Sequence, residues 1–226
     1  MIELSASIYK FSTTFANYEL ECILQKCVGV YNQILSDNRT FPNDEEKIRD
    51  GFIDYLKDDE YKHTHEPLDR YQFDKEVEDG SGRLDIRILP VNPYQGDKAF
   101  YSIECKRLEN KNVAGVSGLN AEYVKNGICR YVSNYYSSHF NTNAMFGFVV
   151  EEMDITRNVE NINALLTIDY VRQPDEIVNA HPTQPLSYVD FANGYPYSYI
   201  SKHLRMGGSE LVLCHLMIDL SQNIQV

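Results

Sequence analysis

The sequence predicts an α/β fold on three observations. Apolar residues recur at helical spacing before residue 57 and after residue 119. Strand-like alternation fills residues 71–105, and a short, wholly apolar run follows at 145–150.

Leu20, Leu24, Val28 and Tyr31 mark a first helix over 15–35. Pro42 then breaks the chain, and Asn43 or Asp44 is placed to cap a second helix whose stripe is Ile48, Phe52 and Leu56. The charged stretch 58–67 reads as a loop. Tyr71, Phe73, Lys75 and Val77 alternate with Gln72, Asp74 and Glu76 as a first strand, and Asp79-Gly80-Ser81-Gly82 supplies a turn. Leu84, Ile86 and Ile88 define a second strand and residues 99–105 a third, joined through Asn92-Pro93 and Gly96. A helix over 120–136, the apolar strand 145–150, a helix over 155–168 and an irregular stretch 174–195 follow. Residues 197–204 and 211–220 form a closing hairpin around Gly207-Gly208.

The 226 residues, 43% of them apolar, suit one domain with a core that needs no staples. Its nuclear part spans 43–151, with a helical extension over 1–42 and a helix and strand pair over 152–226. No apolar run approaches the roughly 20 residues that cross a bilayer. The opening residues lack a basic start and a long apolar stretch, so a cytoplasmic protein without membrane contact is expected. Five cysteines with no Cys-x-x-Cys pair argue for buried thiols over disulfides or structural zinc.

A net charge of −12 excludes a protein that coats nucleic acid non-specifically. The charge is uneven, however. Between 98 and 130, Lys98, Lys106, Arg107, Lys111, Lys125 and Arg130 outnumber Glu104, Glu109 and Glu122.

Four Glu-x-Lys triplets occur, and only Glu104-Cys105-Lys106 follows an apolar strand. Side chains two apart on a strand share a face, so Glu104 and Lys106 project together while Ile103 and Cys105 face away. If the second and third strands pair antiparallel, Asp85 arrives near Glu104. Two crowded carboxylates repel, and a bound Mg²⁺ relieves the repulsion, with the carbonyl of Cys105 as a further oxygen ligand. Such a site polarises a phosphodiester and activates water, and Lys106 orients that water or stabilises developing charge. His63-Thr64-His65 lacks a third ligand and reads as a polar loop. His203 and His215, in the closing hairpin, read as structural, and the glycine-flanked Ser117 and Ser209 form no nucleophile elbow.

Gly82-Arg83-Leu84-Asp85-Ile86 followed by Ile103-Glu104-Cys105-Lys106, in an order of helix, three strands, helix and strand, resembles the PD-(D/E)XK nuclease superfamily over about residues 43–151. Arg83-Leu84-Asp85 stands where the superfamily motif has Pro-Asp. The resemblance implies a restriction-endonuclease-like core, a mixed central sheet flanked by helices, and a Mg²⁺-dependent nuclease, with Mn²⁺ as a substitute, acting most readily on DNA. It assigns Asp85 and Glu104 to the metal and Lys106 to catalysis. A carboxylate from the first core helix is also implied, Glu45 or Glu46. Glu45 is preferred, because it lies three residues before Ile48 and seven before Phe52. By the same resemblance Arg83, Lys125, Arg130 and Tyr123 are candidates for nucleic-acid contact, whereas Arg107 falls on the opposite strand face. A homodimer and a partner protein from a defence or repair system follow by analogy alone. The competing readings are a partner module of the same fold without turnover, and an RNA-cleaving member.

Overall fold

The computed structural model describes residues 12–65, 68–79, 82–91, 100–133, 140–172 and 176–225. In chain order the helices are α1 (Ser12–Ser36), α2 (Glu45–Lys57), α3 (Asp59–Thr64), α4 (Leu119–Tyr123), α5 (Cys129–Val132) and α6 (Ile155–Leu165). The strands are β1 (Tyr71–Asp79), β2 (Gly82–Pro90), β3 (Tyr101–Leu108), β4 (Thr142–Val149), β5 (Tyr170–Arg172), β6 (Glu176–Val178), β7 (Pro182–Tyr188), β8 (Ser198–Leu204) and β9 (Glu210–Asp219). Seven of them form one mixed sheet in the order β1-β2-β3-β4-β9-β8-β7, with β5 and β6 as a separate pair. β3, β4 and β9 run parallel, and the outer strands are antiparallel to their neighbours.

The wholly apolar run belongs to the centre of this sheet. Every residue of β4 is buried, because both faces are covered. Ala144, Phe146 and Phe148 face a core shared with α1 and α2, built on Leu20, Leu24, Ile48 and Phe52. Met145 and Val149 face a second core, built on Tyr123, Val124, Ile128, Val159 and Ile162. β9 joins β4 in parallel, so the closing hairpin extends the central sheet instead of flanking it. All five cysteines are free thiols.

Local signals explain the element boundaries. Asp44 caps α2, its Oδ1 accepting the Lys47 N–H at 3.0 Å. Asp58 ends α2 and also caps α3 by accepting the Tyr61 N–H at 2.7 Å. That second cap corrects the loop expected over 58–67. α3 buries no residue, so its sequence carries no apolar stripe to reveal it. The irregular stretch expected over 174–195 likewise contains β6 and β7. β7 is an edge strand with register shifts and two prolines, which hide its period. The turn residues Gly80 and Ser81, the connection 92–99 and residues 134–136 of the expected helix lie outside the described residues.

The helix after β3 is not one continuous α-helix. Between α4 and α5, Val124–Ile128 form a π turn, in which the Cys129 N–H reaches back to the Val124 carbonyl. Gly127 lies in this turn, and a Cβ there would sit 2.4 Å from Met145 Cε and 3.7 Å from Lys106 Cγ. The missing side chain lets the turn press against β3 and β4.

A buried polar chain fixes β8 and β9 beneath α4. His203 Nδ1 lies 2.7 Å from the Ala180 carbonyl, which only accepts, so this nitrogen carries the proton. In a neutral ring, Nε2 then accepts from Ser201 Oγ at 2.7 Å. Ser201 has spent its hydrogen, so His215 Nε2 donates to Ser201 Oγ at 2.7 Å, and Tyr123 Oη donates to His215 Nδ1 at 2.8 Å. Burial depresses His203 from 6.5 to about 4 and His215 well below its ordinary value.

The folded protein therefore binds fewer protons here than the unfolded chain below pH 6.5. The stability that a neutral His203 contributes is complete above pH 6.5 and is lost as pH falls toward about 4, and the window for His215 reaches lower still. Denaturant unfolding across this window is expected to lose up to about 1.4 kcal/mol per pH unit for each ring. The His203→Gln variant should show a shallower slope, and an unchanged slope contradicts the assignment.

Candidate active site

The site forms where β2 and β3 part. Their ladder runs through Ile88–Tyr101, Arg87–Ser102 and Ile86–Ile103 and stops there. β3 continues beside β4, so the N–H groups of Cys105 and Arg107 face an edge that β2 has left. Two carboxylates take the vacated positions. Asp85 Oδ2 accepts the Cys105 N–H at 2.8 Å, and Glu45 Oε2, from the first turn of α2, accepts the Arg107 N–H at 3.1 Å. Unpaired buried amides are costly, so these bonds hold both acids along one strand edge.

Glu104 and Lys106 project from β3 toward α4 and α5, as the strand period requires. Glu104 is 1% exposed, and its Oε1 lies 2.9 Å from Lys106 Nζ and 2.8 Å from Arg130 NH1. The Lys106 ammonium gathers further oxygens: Glu45 Oε1 at 3.0 Å, Asp85 Oδ2 at 3.8 Å and the Cys105 carbonyl at 2.6 Å. Burial alone would lower the Lys106 pKa. The carboxylates of Glu104, Asp85 and Glu45 outweigh it and hold the group above the ordinary lysine value, so the ammonium is charged.

Glu45, Asp85, Glu104, Lys106 and the Cys105 carbonyl are thus brought together from α2, β2 and β3. Of the two helix carboxylates, Glu45 reaches this cluster, whereas Glu46 turns outward to Arg83 at 3.2 Å. The Cys105 thiol points into the core beneath α1 and α2, and burial raises its pKa.

The four candidates for nucleic-acid contact divide. Arg83 is on the surface and pairs with Glu46 and Glu76. Lys125 is half-buried in the π turn and makes no ion pair among the described residues. Arg130 turns inward to Glu104 rather than outward, because a buried carboxylate beside it needs a partner. Tyr123 is a correction: it is fully buried, its hydroxyl bound to His215, and it presents no surface to a ligand. Arg107, expected away from the site, places its backbone N–H within it while its guanidinium binds Asn43. His65 stacks on Tyr61 and bonds the Tyr61 carbonyl.

Arg49 is the residue that sequence reasoning missed. It is 2% exposed and donates to Asp85 Oδ1 at 3.2 Å, Glu76 Oε1 at 3.0 Å and Asp50 Oδ1 at 2.8 Å. The available signal is its place one helical turn after Glu45, a basic residue beside the apolar stripe of α2.

Among the described residues, no three Asp, Glu, His or Cys side chains group closely enough to hold an ion by themselves. The carboxylates are arranged instead around the Lys106 ammonium. No family model, curated protein or solved structure matches this chain.

Because Glu104 neutralises two cations in a buried setting, Glu104→Gln is expected to destabilise the fold by about 3 kcal/mol. That is the low end for breaking a buried pair, since Arg130 keeps some contact with water. Equilibrium denaturant unfolding reads the change, and a loss below about 1 kcal/mol contradicts the charge balance described.

Proposed function

We propose that this protein is a metal-dependent nuclease of the PD-(D/E)XK type, hydrolysing phosphodiester bonds in DNA. The observation that carries the reading is the meeting of Glu45, Asp85, Glu104 and Lys106 at the parting of β2 and β3. These residues are separated by up to 61 positions. The order from α2 to β4, helix, three strands, helix and strand apart from the added α3 and the interrupted helix after β3, supports the same reading.

The donor set fits a hard divalent cation. Every group that surrounds the Lys106 ammonium is an oxygen, and the ammonium itself stands in for a cation among them. Asp85, Glu104 and the Cys105 carbonyl would hold Mg²⁺ or Mn²⁺. Two carboxylates suffice, because Mg²⁺ takes its other ligands from water and substrate phosphate. When bound, the ion supplies Lewis acidity toward the scissile phosphate and the attacking water.

The chain's own groups do the rest. Lys106 leaves its carboxylates to orient the water and to offset charge that develops on the phosphate. Glu45 keeps the edge of β3 in place through the Arg107 N–H and guides the ammonium. Arg130 offsets the charge of Glu104 from the helix side. With a net charge of −12, and with Lys106 and Arg130 turned to the buried Glu104, affinity for DNA rests on a few local contacts.

One observation favours a second reading, a module of the same fold without turnover. The Asp85, Glu104 and Glu45 carboxylates are each already matched by a cation. Lack of Mn²⁺ binding by the purified protein would favour that module, and parallel assays separate DNA from RNA as substrate.

The deciding variant is Lys106→Ala. Cleavage of plasmid or linear DNA with Mg²⁺ or Mn²⁺ is expected to fall by about 100-fold or more, with the unfolding curve showing a folded chain. Metal-dependent cleavage at the parent rate removes Lys106 from the mechanism.

A further inference from the structure

Arg49 is buried beneath the site, yet it touches none of the groups that would meet a phosphate. Its guanidinium is shared among three acids from three elements. Nε and NH2 donate to Asp50 Oδ1 on α2 at 3.1 and 2.8 Å, and NH2 donates to Glu76 Oε1 on β1 at 3.0 Å. NH1 donates to Asp85 Oδ1 on β2 at 3.2 Å. The outer end of this network is closed by Lys75, 2.6 Å from Asp50, and by Arg83, 3.3 Å from Glu76.

The result at Asp85 is specific. One carboxylate oxygen is held by a helix, through Arg49, and the other by a strand, through the Cys105 N–H at 2.8 Å. Both oxygens are thus engaged, and rotation of the carboxylate would break one or both bonds. The distances to the Lys106 ammonium reflect this. Glu104 and Glu45 close to 2.9 and 3.0 Å, while Asp85 stays at 3.8 Å.

The backbone bends to make the arrangement. Between the pairs Lys75–Ile86 and Val77–Leu84, Glu76 takes φ 53°, a left-handed conformation that a β-strand glutamate rarely adopts. The distortion lies opposite Asp85 and lets Glu76 reach the guanidinium. Buried ion pairs are poor stabilisers compared with apolar packing, so stability is a weak account of a strained strand built around a buried arginine.

We propose that Arg49 is a positioning residue that fixes the orientation of Asp85 and keeps its carboxylate from collapsing onto Lys106, and so sets the affinity of the site for a divalent cation. This rests on the metal-site reading above. Groups that orient a ligating carboxylate typically alter metal affinity 10- to 100-fold when removed.

The test is Mn²⁺ titration calorimetry on the whole chain, with an unfolding curve for each variant. Arg49→Met is expected to weaken Mn²⁺ binding about 10- to 100-fold. Arg49→Lys should fall between the parent and Arg49→Met, because one ammonium cannot serve three acids in a planar fork. Lys75→Met breaks the same network at its outer end without touching Asp85, and is expected to keep the parent affinity whatever it does to stability. A purely structural network would make affinity follow stability across the series, and that result overturns the proposal. So does Arg49→Met binding Mn²⁺ within about twofold of the parent, a change far below that expected for such a group. If Arg49→Met does not fold, parent-like affinity in Arg49→Lys overturns it equally. A parent chain that binds no Mn²⁺ sinks the metal-site reading and this inference together, whereas the other outcomes leave that reading standing.

Discussion

The parting of β2 from β3 after the pair Ile86–Ile103 is the constraint on which the site depends. A strand that loses its neighbour exposes backbone donors, and buried donors must be matched. Here the matching groups are carboxylates. Asp85 and Glu45 take the N–H groups of Cys105 and Arg107, two residues apart on one strand edge. The ladder thus ends in a row of acids instead of water, and the spacing of the acids is copied from the backbone rather than set by flexible side chains.

Charge balance follows from that arrangement. Glu104, buried on the adjoining face, brings a further negative charge to a place with little water, and such charges persist only when paired. Lys106 stands between the acids, Arg130 approaches from α5 and Arg49 from α2. The three cations come from three elements, so the cluster also ties the two helical layers to the sheet.

Much of this was legible in the sequence because strands and capped helices have short periods. The alternation through Ile103 and Cys105 put Glu104 and Lys106 on one face, and Asp44 marked the start of α2 with Glu45 in its first turn. What failed has identifiable causes. The helix drawn through 120–136 carries no sign of the π turn at Val124–Ile128, which inserts an extra residue into a helical turn. Tyr123, a candidate for nucleic-acid contact, is buried, and Arg130 points to Glu104. Arg49 was missed because its partners lie on β1 and β2, 27 and 36 positions away. The left-handed turn at Glu76 that brings β1 to it leaves no compositional mark, since the residue is not glycine.

The most direct measurement is a crystal structure of the protein soaked with Mn²⁺, read by anomalous scattering. The account predicts a single strong peak bounded by Asp85, Glu104 and the Cys105 carbonyl, with the Lys106 ammonium moved off the carboxylates it contacts here. Lys106 still seated among Glu45, Asp85 and Glu104, with no peak between β2 and β3 at saturating Mn²⁺, would contradict it.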